Sequence, residues 1–235
     1  MHPHSIIPIG EIHTPFKQKF AIPRQPNLAN APGLIKFDAD VFHPDMLRGI
    51  EQFSHLWIVF IFHQTLDKGY KPLVKAPRLG GNEKTGVFAS RSTHRPNGLG
   101  LSVVKNAGIS LKGGQTVLKV SGVDILHRTP VVDIKPYLPY ADCIKDADAF
   151  LAQPTHIPHR GVRFSEMAIK VIKQHTHTYP DLYELISDVL AQDPRPAYKQ
   201  SNENDAKVYK VQLYQFDVAW QVTNGEVLVT DIVEA

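Results

Sequence analysis

From Ser5 to about Ile134 the apolar residues come in short runs rich in Val, Ile and Phe, separated by clusters of Gly, Pro and Asn. Short apolar runs bounded by turn formers predict strands. The candidates are residues 6–12, 55–62, 86–89, 101–109, 117–123 and 131–134, and Lys112-Gly113-Gly114-Gln115 predicts a hairpin turn. Strands this short and close fit a sandwich or barrel, and no regular alternation of strand and helix supports a doubly wound α/β sheet. Between them, residues 17–40 and 68–84 are long, polar and Pro-rich. Connections of that length are usually functional or disordered.

After Asp142 the pattern changes. Residues 143–160 are polar, contain two prolines and read as a linker. Ser165 then caps a helical pattern that presents Met167, Ile169, Val171 and Ile172 up to about His175. A second short helix follows Pro180-Asp181 with Leu182, Leu185, Ile186 and Val189, and stops before Asp193-Pro194. Beyond Asp205 the period drops to two, so residues 208–214, 216–222 and 226–232 predict a meander with Asn224-Gly225 as its last tight turn. The expected fold is mainly β: an N-terminal β-barrel domain over residues 1–142, a linker over 143–160, and a smaller C-terminal α+β domain over 161–235.

Composition narrows the function classes. With 43% hydrophobic residues in a chain of 235, there is enough apolar material for a core, which excludes a disordered polymer. The densest apolar run, residues 56–62, falls far short of the roughly 20 needed for a membrane helix. Met1-His2-Pro3-His4-Ser5 lacks the charged head and apolar core of a secretory signal, so a cytoplasmic protein is expected. The single cysteine, Cys143, forbids an intrachain disulfide and a cysteine-cage zinc site. It reads as a buried small hydrophobe. The histidine pairs His2/His4, His156/His159 and His175/His177 do not read as metal ligands: the first two lie in a terminus and the linker, and on a helix the third would point to nearly opposite sides. No metal is expected. The glycine fingerprint of dinucleotide folds, the phosphate loop, His-Glu-x-x-His and Gly-x-Ser-x-Gly are all missing.

Three segments carry candidate chemistry. In Lys19-Phe20-Ala21-Ile22-Pro23-Arg24-Gln25-Pro26-Asn27, two prolines stiffen a loop that offers Arg24, Gln25 and Asn27 as hydrogen-bonding groups. A rigid crossover at a barrel mouth accounts for it equally well. The second, Phe53-Ser54-His55-Leu56-Trp57 through His63-Gln64, reads as a strand apolar on both faces that ends abruptly in polar groups, either at a ligand site or at an ordinary core rim. The third, Arg78-Leu79-Gly80-Gly81-Asn82 and then residues 86–100, concentrates Arg91, His94 and Arg95 with hydroxyls. Such donors suit phosphate, carboxylate or ribose, and Gly98 and Gly100 would let a backbone approach a ligand.

These residues resemble the TsaA-like, or TrmO, family. The likeness rests on Lys19-Phe20 with Pro23-Arg24-Gln25-Pro26, Phe53-Ser54-His55-Leu56-Trp57 with His63-Gln64, Arg78-Leu79-Gly80-Gly81-Asn82, and Gly86-Val87-Phe88-Ala89 with Arg91-Ser92 and Arg95-Pro96-Asn97. It continues through Thr129-Pro130-Val131-Val132-Asp133-Ile134-Lys135-Pro136-Tyr137 and Asp188-Val189-Leu190-Ala191-Gln192-Asp193-Pro194-Arg195-Pro196-Ala197-Tyr198, and so covers nearly the whole chain. The resemblance implies a homodimeric S-adenosylmethionine-dependent methyltransferase acting on N6 of threonylcarbamoyladenosine beside the tRNA anticodon, with its cofactor on a barrel. It implies cofactor contacts at Gln25, Pro26, Asn27, His63, Gln64, Arg91, Leu101, Ser121, Gly122, Val123 and Asp124. Of these, pattern alone reads Leu101 and residues 121–124 as strand. The sequence departs from the family at His94 and at Gly98-Leu99, where members often have Phe and Pro-Ile.

On the substrate side, Arg95 or Arg195 would clamp the threonyl carboxylate and Asp193 would lie nearby in a Pro-flanked loop, although a helix-ending turn explains Asp193 equally well. The catalytic base is not assigned. The formal charge of +3 is a faint basic signal, so tRNA binding requires Lys17, Lys19, Arg24, Arg78, Arg91, Arg95, Lys135, Arg195 and Lys199 to share a face. The competing class is a non-catalytic β-barrel module that binds S-adenosylmethionine or RNA. A histidine-based metal hydrolase ranks last.

Overall fold

The computed structural model describes residues 4–75, 84–148 and 158–235. Its first sheet uses β1 (Gly10–His13), β2 (Pro32–Phe37) and β3 (His55–Ile61). A separate short hairpin, β4 (Leu73–Lys75) with β5 (Lys84–Gly86), precedes β6 (Leu99–Lys112), β7 (Gln115–Ser121) and β8 (Thr129–Pro136). The order β1-β2-β7-β6-β3-β8 is antiparallel throughout, and β8 pairs back onto β1, which closes the sheet into a barrel without free edges.

Period-two alternation determines what fills it. On β3, Leu56, Ile58 and Phe60 are buried while Trp57, Val59 and Ile61 face outward and are partly exposed, so this strand is not dry on both faces. Its outward Trp57 is instead satisfied locally, with Nε1 donating to Asp142 Oδ2 at 3.0 Å on the short helix α1 (Pro139–Asp142) and the ring tilted against Tyr137. Two further expectations change. The polar stretch 17–40 contains β2, and residues 87–89 of the predicted strand 86–89 form a single 3₁₀ turn with Val87 buried and Phe88 exposed.

The second sheet is built from β9 (Val162–Phe164) and, after α2 (Glu166–His175), α3 (Leu182–Ala191) and α4 (Ala197–Gln200), from β10 (Asp205–Leu213), β11 (Phe216–Thr223) and β12 (Glu226–Glu234). The order is β10-β11-β12-β9, with β9 parallel to β12. Ser165 caps α2, its Oγ accepting from Ala168 N–H at 3.1 Å. Asn224 and Gly225 both have positive φ, 51° and 77°, as the two-residue turn between β11 and β12 requires. α3 buries Leu182, Leu185, Ile186, Val189 and Leu190, one helical stripe.

The two sheets are joined through packing. Phe16, 1% exposed, bridges to Leu213, and Tyr214 N–H donates to Pro15 O at 2.8 Å. The buried hydrophobic residues of both sheets form one continuous cluster, so the junction is itself core. Cys143 is exposed, contrary to expectation. Among the described residues no helix is long and apolar enough to cross a membrane.

Candidate functional site

At one rim of the closed sheet four chain segments meet. β3 ends at Ile61; the next residue, Phe62, donates its N–H to Gly98 O at 2.7 Å, and His63 and Gln64 open a 3₁₀ helix (His63–Lys68). Thr65 Oγ1, buried, lies 3.0 Å from Phe62 O and 3.1 Å from Thr93 O and ties that helix to the 90–95 segment. The third wall is the crossover that begins at Lys19. The fourth is the turn after β7 that carries Asp124 to Leu126. Together they enclose a cavity of about 470 Å³ whose lining includes Lys19, Arg24, Gln25, His63, Gln64, Arg91, Arg95, Leu101, Ser102 and Asp124. Gln25, His63 and Arg91, which lie far apart in sequence, are thus walls of the same space.

Each polar wall is held in place. Arg91 Nη1 donates to Gln25 Oε1, so the cation and the amide brace each other across the mouth. Arg95 Nη1 donates to Ser90 O at 2.7 Å and Val87 O at 3.2 Å while its guanidinium lies over the exposed Phe88 ring, which fixes the turn that presents Arg91. Ser102 Oγ donates to Asp124 Oδ1 at 2.5 Å. Burial pushes the Asp124 carboxyl up to about 6, and the Ser102 hydrogen bond and the Arg91 charge offset only part of that. Burial and the neighbouring Lys68 charge hold the Lys19 ammonium below its usual range.

The remaining residues expected to touch a cofactor form the support. Pro26, Asn27, Ser121, Gly122 and Val123 do not line the cavity. Asn27, at φ 64°, donates its N–H to Gly122 O at 2.8 Å and its Nδ2 to Val103 O at 3.1 Å. Ser121 Oγ donates to Asn30 Oδ1 at 2.5 Å, and Gly122 and Val123 both donate their N–H groups to Ala31 O. Val123 is fully buried. These contacts clamp the crossover to the end of β7.

Other expectations need correction. Gly98 does not line the cavity and makes room for the protein's own Leu66, to whose Cδ2 an added Cβ would lie at 2.4 Å, whereas Gly100 lines the cavity and also leaves room for the Phe60 ring, 2.4 Å from an added Cβ. Asp193 and Arg195 are not brought to the cavity. They are 0% and 2% exposed, and Asp193 accepts from Arg195 Nε at 2.8 Å, Arg195 Nη2 at 2.7 Å and Arg160 Nε at 2.7 Å. Although burial alone would raise it, these guanidinium contacts hold the Asp193 carboxyl below the usual carboxylate range. Arg195 Nη1 also donates to Asn202 O at 3.0 Å and approaches Asp205 Oδ2 at 3.5 Å.

Of the cations expected on one face, Lys19, Arg24, Arg91 and Arg95 line the cavity. Lys135 pairs instead with Asp133 at 3.3 Å and Lys199 approaches Asp205 at 3.5 Å. Lys17 lies beside His127. Arg78, with the rest of Arg78-Leu79-Gly80-Gly81-Asn82, is outside the described residues, as are His2 and His156. Among the described residues no group of three or more His, Cys, Asp or Glu could hold a metal. Sequence reading missed Ser102 and Lys68. The signal for Ser102 was a hydroxyl at an inward position of β6, between Gly100 and Val104; Lys68 had none.

Comparison with known proteins gives matches over nearly the whole length. The tRNA-methyltransferase O N-terminal domain model matches residues 11–143 and the TrmO C-terminal domain model residues 158–235. A tRNA (adenine(37)-N6)-methyltransferase of Escherichia coli is 46% identical over 218 residues, covering 92% of each chain. A putative S-adenosylmethionine-dependent methyltransferase of Pseudomonas aeruginosa is 44% identical over 96% of this chain and 95% of its own. A crystal structure of TrmO from Pseudomonas aeruginosa superposes with a TM-score of 0.80 at 38% identity, covering 99% of this chain and 100% of that one.

Proposed function

The chain belongs to the tRNA-methyltransferase O family, and from that premise we propose that it transfers a methyl group from S-adenosylmethionine to N6 of an adenosine in tRNA. The observation that carries the reading is the convergence of Gln25, His63, Arg91 and Asp124 on one cavity. Its volume of about 470 Å³ falls in the range of roughly 300–1,000 Å³ typical of small-molecule sites. The donor set suits this cofactor. Arg91 matches a carboxylate, Asp124 matches positive charge, Gln25, His63 and Gln64 supply hydrogen bonds, and Phe60, Phe62, Leu99 and Leu101 form the apolar wall an adenine needs.

S-adenosylmethionine supplies a methyl carbon already activated by its sulfonium. The protein's part is therefore orientation and charge. The Arg91–Gln25 pair holds a positive charge in the site, and Asp124, held by Ser102, sets a negative one in the same space. The substrate adenosine carries a threonylcarbamoyl group at position 37, beside the anticodon. Arg95 meets its carboxylate, and the Lys19, Lys68 and Arg24 cations meet the phosphates around it. Asp193 and Arg195 serve that substrate indirectly, by stiffening the segment between α3 and β10. In the arrangement proposed here, residues 1–142 form the cofactor domain and 161–235 the second domain, with 143–160 linking them. The enzyme works as a homodimer in the cytoplasm, where tRNA is modified.

Incubation with methyl-labelled S-adenosylmethionine and threonylcarbamoylated tRNA tests this reading. Label should appear on the modified adenosine and not on tRNA lacking the threonylcarbamoyl group. Binding of cofactor and tRNA without transfer would sink the enzyme reading in favour of a binding module. A sedimentation experiment at micromolar concentration tests the dimer.

A further inference from the structure

The crossover from Lys19 to Ala31 contains no regular secondary structure between residues 24 and 30, yet it delivers Gln25 to the mouth of the cavity. An irregular loop presents a side chain reproducibly only if its own main-chain groups are held. From the closed sheet, Gly122 and Ser121 hold Asn27 and Asn30. The opposite side of the same loop is held by α3, some 160 residues later in the chain. Asp188 Oδ2 accepts from Asn30 N–H at 2.9 Å, and Gln192 Nε2 donates to Leu28 O at 3.1 Å and to Asp188 O at 3.0 Å. The sequence separations, 158 and 164 residues, make these tertiary contacts in the full sense.

Two details show that the grip is directed at the loop. Gln192 is 8% exposed and its Oε1 is buried without a hydrogen-bond partner, so the amide's placement is dictated by its donors alone. A buried acceptor left unmet is unfavourable, and it is tolerated here where the same side chain reaches Leu28. The helix that carries Asp188 and ends immediately before Gln192 is also anchored: Leu185, Ile186, Val189 and Leu190 are at most 1% exposed and pack into the core.

We propose that Asp188 and Gln192 are positioning residues for the methyl donor: by holding Asn30 and Leu28 they set Gln25 against Arg91, so the C-terminal sheet-and-helix layer tunes cofactor binding within its own chain. This rests on the methyltransferase reading above. It assigns to the second layer a function on the cofactor side, separate from any contact with tRNA.

The test uses the full-length protein, calorimetric S-adenosylmethionine binding and hydrogen exchange of residues 24–31. Asp188→Ala and Gln192→Met, which keeps length but removes the donor, should each weaken cofactor binding about three- to tenfold, the worth of one hydrogen bond. Exchange at Asn30 should accelerate. Asp188→Asn, which retains an oxygen acceptor, should recover most of the lost affinity. The cofactor KM should rise with little change in kcat or in the KM for tRNA, a split that general loss of structure would not give. Should Gln192→Met fold poorly, the Asp188 pair carries the test, because Asp188 is only partly buried. Folded variants with unchanged cofactor affinity and unchanged loop exchange would overturn the proposal while leaving the enzyme reading intact. Failure of the unaltered protein to bind S-adenosylmethionine would overturn both.

Discussion

The rim of the closed sheet and the segment between α3 and β10 both bring arginine and aspartate into one site, and they use the two charges in opposite ways. In the second, Asp193, itself fully buried, faces Arg195 and Arg160 at 2.7–2.8 Å, and the other guanidinium contacts go to main-chain carbonyls and to Asp205. Every charge there is met by the protein itself. At the rim, Arg91 leans on the neutral Gln25 and Asp124 on the neutral Ser102, so neither charge is cancelled by a partner at contact distance. A saturated pair stabilises a shape, whereas charges braced by neutral groups stay available to a ligand. The two sites therefore differ in what their loss should cost.

The largest expected effect is on the saturated pair. Asp193→Asn leaves the buried Arg195 guanidinium and the partly buried Arg160 short of a counter-charge and should destabilise the protein by about 3–5 kcal/mol, as breaking a buried ion pair does. For a chain of this size that lowers the melting temperature by roughly 10 °C. Because the Asp193 carboxyl is held below its usual range, its contribution is fully present above that range and is lost as pH falls through the depressed value; stability should decline at acid pH in the parent protein and less steeply in the variant. Cofactor affinity, measured well below the melting temperature, should hardly change. Next comes Arg91→Ala, for which the pattern reverses: affinity for S-adenosylmethionine falls about ten- to hundredfold, the worth of a hydrogen bond to a charged group, with little change in melting temperature. If Arg91→Ala melted early or Asp193→Asn lost the cofactor in its folded state, the distinction drawn here would be wrong.

A smaller effect probes the joint between the two regions. Gly122 has φ 78°, and a Cβ there would lie 2.3 Å from Asn27 Oδ1. Gly122→Ala should cost about 1–2 kcal/mol of stability from the left-handed backbone, and it should weaken cofactor binding as well, because Asn27 must move. Thermal melting and calorimetric titration on one sample would show whether the two losses travel together.

How far these regions were legible in the sequence depended on the range of the contacts. Local signals were read correctly: Ser165 marks the start of α2, Asn224-Gly225 the last hairpin turn, and Lys112 pairs with Gln115 across Gly113-Gly114. β2 was hidden because one of its inward positions is Gly33, whose missing side chain makes room for Val120 and Val123, so the apolar alternation fades to Ile35 and Phe37. Gln25, His63 and Arg91 stood out as polar groups at the ends of stiff or apolar segments. Asp124 entered only through family resemblance, since on pattern alone residues 121–124 read as strand. Asp188 sits on α3 and Gln192 just past its end, where the pattern announces only the helix's buried face, and nothing local to them points at a loop 158 to 164 residues away. Asp193 and Arg195 misled for the opposite reason: a charged pair beside prolines looks available until burial shows it is spent.

The smallest effect, a pH dependence, separates the two regions by sign. With its carboxyl raised to about 6, Asp124 is mostly ionised at pH 7 and mostly protonated at pH 5. A cation bound against the carboxylate should lose about tenfold in affinity over that interval, and Asp124→Asn should flatten the profile at the weaker level. Stability of the unliganded protein moves the other way at this residue: a raised acid favours the folded state as pH falls from about 6 toward the ordinary carboxyl value of 3.8. His127 opposes that trend. Burial, with the charges of Lys17 and His13, pushes it down to about 4 from the usual 6.5, so the unfolded chain takes up a proton first and stability falls across the same interval. The two contributions offset each other in a melting curve. Calorimetric affinity at pH 7, 6 and 5 is therefore the measurement that decides, and a level profile in the parent protein would remove Asp124 from the cofactor's charge environment.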